Sequence, residues 1–285
     1  MKDSFHYTHL NLKVPASDSN HIAANGKFFA VPYAGGGGMV AVIPHKKFGQ
    51  SGKVGGVNGH TSSALDIQFH PFNDNILTTC AADCSIKMWN LDDESIENGV
   101  VSQDPVQALN EHEKKVTKLL FHPTANNVLA STSIDKSIRL WDVENGKVGT
   151  KISIPDPVQD MSFNLNGQQL VVTSRDKKLR VVDPRVPDSV VGEVDGHTGS
   201  KPCRAVWLKK LDLILTAGFS RSAERTLKLW DPKNLAAGEL TEFSVDQQSG
   251  ILMPFFDEDT STLLLAGKGD GNIRQYEISN REIFS

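Results

Sequence analysis

Two segments of this chain align residue for residue. Phe69–Asn90 reads FHPFNDNILTTCAADCSIKMWN, and Phe121–Asp142 reads FHPTANNVLASTSIDKSIRLWD. In both, His and Pro follow the Phe and a Trp lies 20 residues after it. An Asp stands six residues before each Trp, at Asp83 and Asp135. Weaker copies run from Phe163 to Asp183, from Trp207 to Asp231 and from Phe255 to Glu277, with Asp176, Glu224 and Asp270 six before Val182, Trp230 and Tyr276. The closing positions Trp89, Trp141, Val182, Trp230 and Tyr276 are spaced by 52, 41, 48 and 46 residues. Histidines open three of the units, in Gly59-His60, Glu111-His112 and Gly196-His197, and lie 29, 29 and 33 residues ahead of their tryptophans. A period in the forties, opened by Gly-His and closed by Trp-Asp, is the signature of the WD repeat, whose unit is one blade of a β-propeller. The fold class expected is therefore all-β, a WD-repeat β-propeller.

Runs rich in β-branched residues, ILTTC, VLAST and LVVTS, read as inner strands. The Asp before each closing strand suits a tight turn, because its carboxylate accepts bonds from turn amides. In WD repeats the His, a strand Ser or Thr, the Asp and the Trp indole form a buried hydrogen-bonded chain, which satisfies polar groups that would otherwise be costly to bury. Here one such set is His60, Thr79, Asp83 and Trp89, a second is His112, Ser131, Asp135 and Trp141, and His197 and Trp230 belong to a third. Val182 has no indole N–H, so its blade is expected to rely on packing alone. Ahead of these units, Lys27–Pro44 reads as two strands around a glycine turn and makes a Trp-less first blade. One propeller domain over residues 1–285 is expected, with blades at about 21–50, 60–95, 112–150, 155–190, 197–240 and 245–280 and an extra alternating strand at 7–14.

Composition narrows the function classes. With 30 basic and 34 acidic residues and a formal net charge of −4, nothing global calls for nucleic acid or an anionic membrane. No stretch approaches the ~18 apolar residues of a membrane span, and the N-terminus lacks the apolar run of a signal peptide. Three cysteines, Cys80, Cys84 and Cys203, and no Asn-x-Ser/Thr acceptor point to a reducing, cytoplasmic setting.

Motifs that would carry catalysis fail on context. Gly35–Gly38 is followed by a strand, MVAVI, and lacks the Gly-Lys-Ser/Thr ending of a phosphate loop, so it reads as a hairpin turn. Gly218-Phe219-Ser220-Arg221-Ser222 half-matches a nucleophile elbow without its last glycine or a following helix, and reads as a loop. Cys80 and Cys84 have no further zinc ligands at suitable spacing. Histidines copied at one repeat position are structural. No catalytic residue, metal or cofactor is expected. Basic clusters remain as candidate contacts for an acidic partner: Lys46 and Lys47 with Lys53, Lys114 and Lys115, Arg175, Lys177, Lys178 and Arg180 with Arg185, and Arg221 and Arg225. Ordinary solvated turns are the alternative for each.

Several stretches are more specific than a generic repeat. TAGFSRSAERTLKLWDP, SGILMPFFDEDTSTLLLAGKGDGNIRQYEI, GGGGMVAVIPHKKFG and DKKLRVVDPR each resemble the coronin family, over about Tyr7 to Ile278. The resemblance implies a seven-bladed, non-enzymatic propeller that binds filamentous actin and regulates cytoskeletal organisation and turnover, with the branched-actin nucleating complex and cofilin as further partners. Only six blades are recognisable here, so the ring is expected either to lack a blade or to be closed by the N-terminal strand. The family's linker and coiled coil have no counterpart in this sequence, so a monomer is expected, and MKDSFH stands where the family has a short basic segment. A general WD-repeat scaffold for trafficking or signalling complexes is the alternative function.

Overall fold

The computed structural model describes residues 6–13, 18–50, 52–279 and 281–284. Val14 and Asn280, the ends of the expected 7–14 strand and of the sixth blade, lie outside them. The chain divides into two compact units, one of residues 1–121, 126–135 and 139–149, the other of residues 122–125, 136–138 and 150–285.

In the first unit, the apolar runs FFAVP and VAVIP pair as the hairpin Phe28–Pro32 with Val40–Pro44. Its turn demands glycine. Gly37 and Gly38 both have φ of 72°, and a Cβ on Gly38 would sit 2.1 Å from the Ser62 carbonyl oxygen. Ala23–Ala24, Gly56–Val57 and Val101–Ser102 complete this sheet. The stretch expected as one strand at 7–14 is not continuous. Tyr7–Thr8 pairs in parallel with Gly49–Gln50 and Leu12 bridges Tyr33, while His9 between them takes φ of 61° and interrupts the extension. Tyr7 donates its hydroxyl to the His45 carbonyl at 2.9 Å and meets Phe29 edge-on at 4.8 Å, which holds the segment against the first blade.

The second sheet runs in the order Gln107–Leu109, Ile86–Asn90, Asn73–Ala81, Ala64–His70. The third runs Val116–Phe121, Val128–Ser133, Ser137–Asp142, Lys147–Ser153. In the second unit the fourth sheet is Val158–Phe163, Leu170–Ser174, Lys178–Val182 and Val190–Asp195, and the fifth is Arg204–Leu208, Leu213–Phe219, Arg225–Trp230 and Glu239–Asp246. The sixth is Leu252–Asp257, Thr262–Gly267, Ile273–Ser279 and Glu282–Phe284. Sheets two to six are antiparallel blades, while in the first Val101–Ser102 joins Gly56–Val57 in parallel. In blades two to six the outermost strand ends later than the sequence ranges given above. These strands carry mixed polar patterns such as KVGTKIS and ELTEFSVD and are largely exposed, so they lack the apolar signal that marks inner strands. By contrast LILTAGF and LVVTS are buried at every position, because both faces of an inner strand are covered. The sixth sheet departs from this. Phe255 and Ile273 on one of its faces are 65% and 70% exposed.

Bonds between successive sheets recur in register. The His of each Phe-His-Pro reaches forward, His70 Nε2 to the Asn126 carbonyl at 2.8 Å and His122 Nε2 to the Gly167 carbonyl at 3.2 Å. Each also packs on an aromatic ring, His70 on Phe121 at 4.8 Å and His122 on Phe163 at 5.1 Å. Three residues before the Phe, Asp66 accepts from the Leu119 amide at 2.8 Å and Asp160 from the Ala205 amide at 3.1 Å.

Within the second blade, Trp89 Nε1 donates to Thr79 Oγ1 at 2.9 Å, Thr79 meets His60 Nε2 at 2.8 Å, and His60 Nδ1 meets Asp83 at 3.0 Å. The third repeats this with Trp141, Ser131, His112 and Asp135 at 2.8, 2.7 and 2.7 Å. Burial opposes the charge on Asp83, but bonds from His60 and Ser85 outweigh it and hold the carboxyl far below its usual range. The fifth blade keeps Trp230, Thr216 and His197 at 2.8 and 2.9 Å. There the carboxylate is replaced. His197 Nδ1 meets Thr226 Oγ1 at 3.0 Å, while Glu224 bonds Ser244 instead. Burial, reinforced by Lys228, pushes the His197 imidazole down to about 4.

The fourth blade does not rely on packing alone, contrary to expectation. Arg180, 2% exposed, donates to Ser174 at 2.6 Å, to Asp176 at 2.6 Å and to Glu193 at 2.7 Å. Between the fifth and sixth sheets a second guanidinium, Arg225, is fully buried. It donates to Asp246 at 2.5 Å and Asp270 at 2.9 Å, and Arg274 joins the same two carboxylates at 2.7 and 2.8 Å.

Three outcomes test this account. Ser131→Ala leaves an indole N–H and an imidazole nitrogen unpaired in the interior and is expected to cost about 2–4 kcal/mol, whereas Ser131→Thr, the residue of the second blade, is expected to fold normally; urea unfolding measures both. Arg225→Ala removes the fully buried guanidinium and leaves Asp246 and Asp270 to Arg274 alone, and is expected to cost about 3–5 kcal/mol, while Arg221→Ala is expected to stay within about 0.5 kcal/mol of the parent. Because the folded His197 titrates below its unfolded value, its contribution is complete above pH 6.5 and is lost as the pH falls toward about 4. That loss is on the order of 3 kcal/mol, and His197→Gln is expected to flatten the urea midpoint across that window.

Candidate functional site

The basic candidates separate by what holds them. Lys46, Lys114, Lys115, Arg175 and Arg221 are exposed, and their side chains have no hydrogen-bond or ion-pair partner among the described residues. Lys47 donates to the Glu97 carbonyl at 2.7 Å, closing the short helix Asp93–Glu97 onto the first blade. Lys177, in the left-handed turn after Asp176 with φ of 67°, donates to the Thr198 carbonyl at 2.7 Å. Lys178 is paired with Glu193, which raises its affinity for the proton. Arg225 leaves the set. Its guanidinium is enclosed between Asp246 and Asp270 and has no surface to offer a partner.

Four of the remaining candidates, Arg175, Lys177, Lys178 and Arg221, gather in the second unit. The turn carrying Arg175 and Lys177, the loop Thr198–Lys201 and the loop carrying Arg221 wall two adjoining hollows that share Lys177, Gly199, Ser200 and Lys201. The wider has a volume of about 260 Å³. Gly199 sets the loop in place, donating its amide to the Phe219 carbonyl at 2.7 Å, and a Cβ there would lie 2.5 Å from the Phe219 Cβ. Lys201 was not among the sequence candidates. It lies 4.7 Å over the Phe219 ring and donates to the Ser249 carbonyl at 2.5 Å. An isolated lysine in a polar loop gave no signal by type or spacing.

A different set of cations was readable, and all of it but Arg180 was missed. Lys87, Arg139, Arg180, Lys228 and Arg274 each stand two residues before the closing position of a repeat. Each finds an oxygen: Lys87 the Gly59 carbonyl, Arg139 Glu111 at 3.5 Å, Arg180 Asp176 and Glu193, Lys228 Glu239 at 3.0 Å, and Arg274 Asp270. These are internal ties and leave little charge for a partner.

The chemistry-bearing motifs land in structural places. The glycine run is the hairpin turn of the first blade. Ser220 Oγ bonds Ser222 Oγ at 2.8 Å and accepts the Glu224 amide at 3.2 Å, so its hydroxyl is engaged within its own loop. Cys80 and Cys203 are driven toward the neutral thiol by burial. Among the described residues, no group of three or more His, Cys, Asp or Glu could hold a metal ion, and no helix is long and apolar enough to cross a membrane.

Known proteins match this arrangement. Residues 1–50 match a domain of unknown function, DUF1899, and residues 52–90, 103–142 and 149–183 match the WD domain, G-beta repeat. A coronin-like protein of Saccharomyces cerevisiae is 43% identical over 99% of this chain and 45% of its own length. Coronin-A of Dictyostelium discoideum is 43% identical over 94% of this chain and 60% of its own, and human Coronin-2A 34% identical over 92% and 50%. The chain thus spans about half the length of these relatives. The crystal structure of the WD40 domain from Toxoplasma gondii coronin superposes with a TM-score of 0.93 at 29% identity, covering 100% of this chain and 73% of that one. The repeats, the blades and these relatives agree: the chain is a WD-repeat β-propeller and belongs to the coronin family.

Proposed function

We propose that this protein binds filamentous actin without enzymatic activity and, through that binding, regulates the organisation and turnover of the actin cytoskeleton in the cytoplasm. The observation that carries the reading is its identity with coronins over more than nine-tenths of the chain. The exposed cations supply a physical means. Lys46, Lys114 and Lys115 have no internal acceptor, so their charge is available to an acidic filament surface, and Lys47 adds to it. Arg175, Lys177, Lys178 and Arg221 form the second candidate patch, with Lys178 weakened by its pairing to Glu193. The branched-actin nucleating complex and cofilin are the further partners of this reading.

Co-sedimentation with filamentous actin tests it. The chain is expected to pellet with filaments at low salt and less so at moderate salt, since contacts between exposed charges are screened. Lys114→Glu/Lys115→Glu is expected to reduce pelleting roughly three- to tenfold. Pelleting that ignores both salt and the substitution removes Lys114 and Lys115 from the contact. A parent chain that stays in the supernatant at low salt sinks the reading and favours a general scaffold.

A further inference from the structure

The two adjoining hollows of the second unit have an unusual charge balance. Their walls hold five cations, Arg175, Lys177, Lys178, Lys201 and Arg221, and no carboxylate. Lys178 is neutralised from outside by Glu193. The other four are not. Lys177 and Lys201 bond only to the neutral carbonyls of Thr198 and Ser249, and Arg175 and Arg221 have no partner among the described residues. Elsewhere in the same unit, buried cations are matched: Arg180 by Asp176 and Glu193, Arg225 and Arg274 by Asp246 and Asp270. The two hollows share Lys177 and Lys201, with Arg221 on the wider and Arg175 on the narrower, and uncompensated positive charges so placed repel one another. An anion seated between them relieves that repulsion.

The chemistry of the wall narrows the anion. Guanidinium forks and ammonium groups, with the hydroxyls of Ser200 and Ser220 beside them, are donors suited to an oxyanion with several acceptor oxygens and more than one charge. That describes a phosphomonoester better than a single carboxylate. The carrier is narrowed too. The Phe219 ring in this wall is already covered by Lys201, so no open aromatic face is left for a nucleobase. A volume of about 260 Å³ takes a phosphate on a short aliphatic stem. The loop is also fixed in advance, because Gly199 is seated against Phe219 where no larger residue fits, which lowers the ordering cost of binding.

We propose that this cleft is a recognition site for a phosphorylated serine or threonine side chain of a partner protein, gripped by Arg175, Lys177, Lys201 and Arg221. Clusters of arginine and lysine reading phosphorylated motifs are a recurrent mode of peptide recognition. The cleft shares Arg175, Lys177 and Arg221 with the second candidate filament patch, but it is tested with actin absent, so the failure of either reading leaves the other standing.

The test is calorimetric titration of the whole chain with a neutral hexapeptide bearing one phosphoserine. The unphosphorylated peptide and adenosine monophosphate serve as comparison probes. The phosphopeptide is expected to bind, with the unphosphorylated peptide showing no heat. Arg175→Ala/Arg221→Ala is expected to weaken binding roughly tenfold or more. Neither arginine side chain makes an internal bond among the described residues, so the thermal midpoint of this variant should match the parent. Lys46→Ala/Lys47→Ala, at residues that line neither hollow, should bind as the parent does. No binding of the phosphopeptide at millimolar concentration overturns the proposal, as does binding that the arginine pair does not affect. Tighter binding of adenosine monophosphate than of the phosphopeptide overturns the assignment to a protein side chain.

Discussion

A single buried hydroxyl with an indole on one side and an imidazole on the other organises the blades that carry the full repeat. Thr79, Ser131 and Thr216 each accept from a Trp and meet a His. Proton directions then follow. If Asp83 accepts from His60 Nδ1–H, the opposite nitrogen is an acceptor, and the hydroxyl must give its own hydrogen to it while receiving the indole's. Each donor is used once. The indole is thereby locked at the join between sheets, where Trp89, Trp141 and Trp230 sit in three separate apolar clusters. Polar order inside each blade and apolar packing between blades meet at the same side chain.

The variants show what the constraint permits. In the fifth blade the carboxylate is gone and a threonine hydroxyl stands at the imidazole, leaving a histidine that resists protonation. In the fourth the indole and imidazole are both absent, and a guanidinium spans the turn and the outer strand instead. What recurs is the requirement that a buried polar group at this level be satisfied from its own sheet.

This explains what could be read in the residues. His60, Asp83 and Trp89 stand at fixed spacing, so their meeting was legible. Thr216 stands fourteen residues before Trp230 rather than ten, because the loop around Ser220–Ala223 lengthens the hairpin, and Glu224 drops out of reach. The role of Arg180 was hidden because its partner Glu193 lies on an outer strand whose pattern carries no apolar signal. The surface was legible by residue type and not by availability. Arg221 and Arg225 are four residues apart, yet one is free and the other enclosed by Asp246 and Asp270, residues that only the folded sheets bring near. The basic cleft likewise depends on a loop and two turns from different blades.

The forward-reaching histidines of the Phe-His-Pro turns give the chain a direction in time. His70 needs a carbonyl 56 residues further along, and His122 one 45 residues further. At roughly 5–20 residues per second on a ribosome, each waits about 2–11 s for its acceptor to be made. A blade therefore emerges with its own hydrogen-bonded centre complete but its flank unlatched, and it is the newest neighbour, arriving from the C-terminal side, that secures it. Assembly of this protein during synthesis is in that sense a zipper with a lag of one repeat.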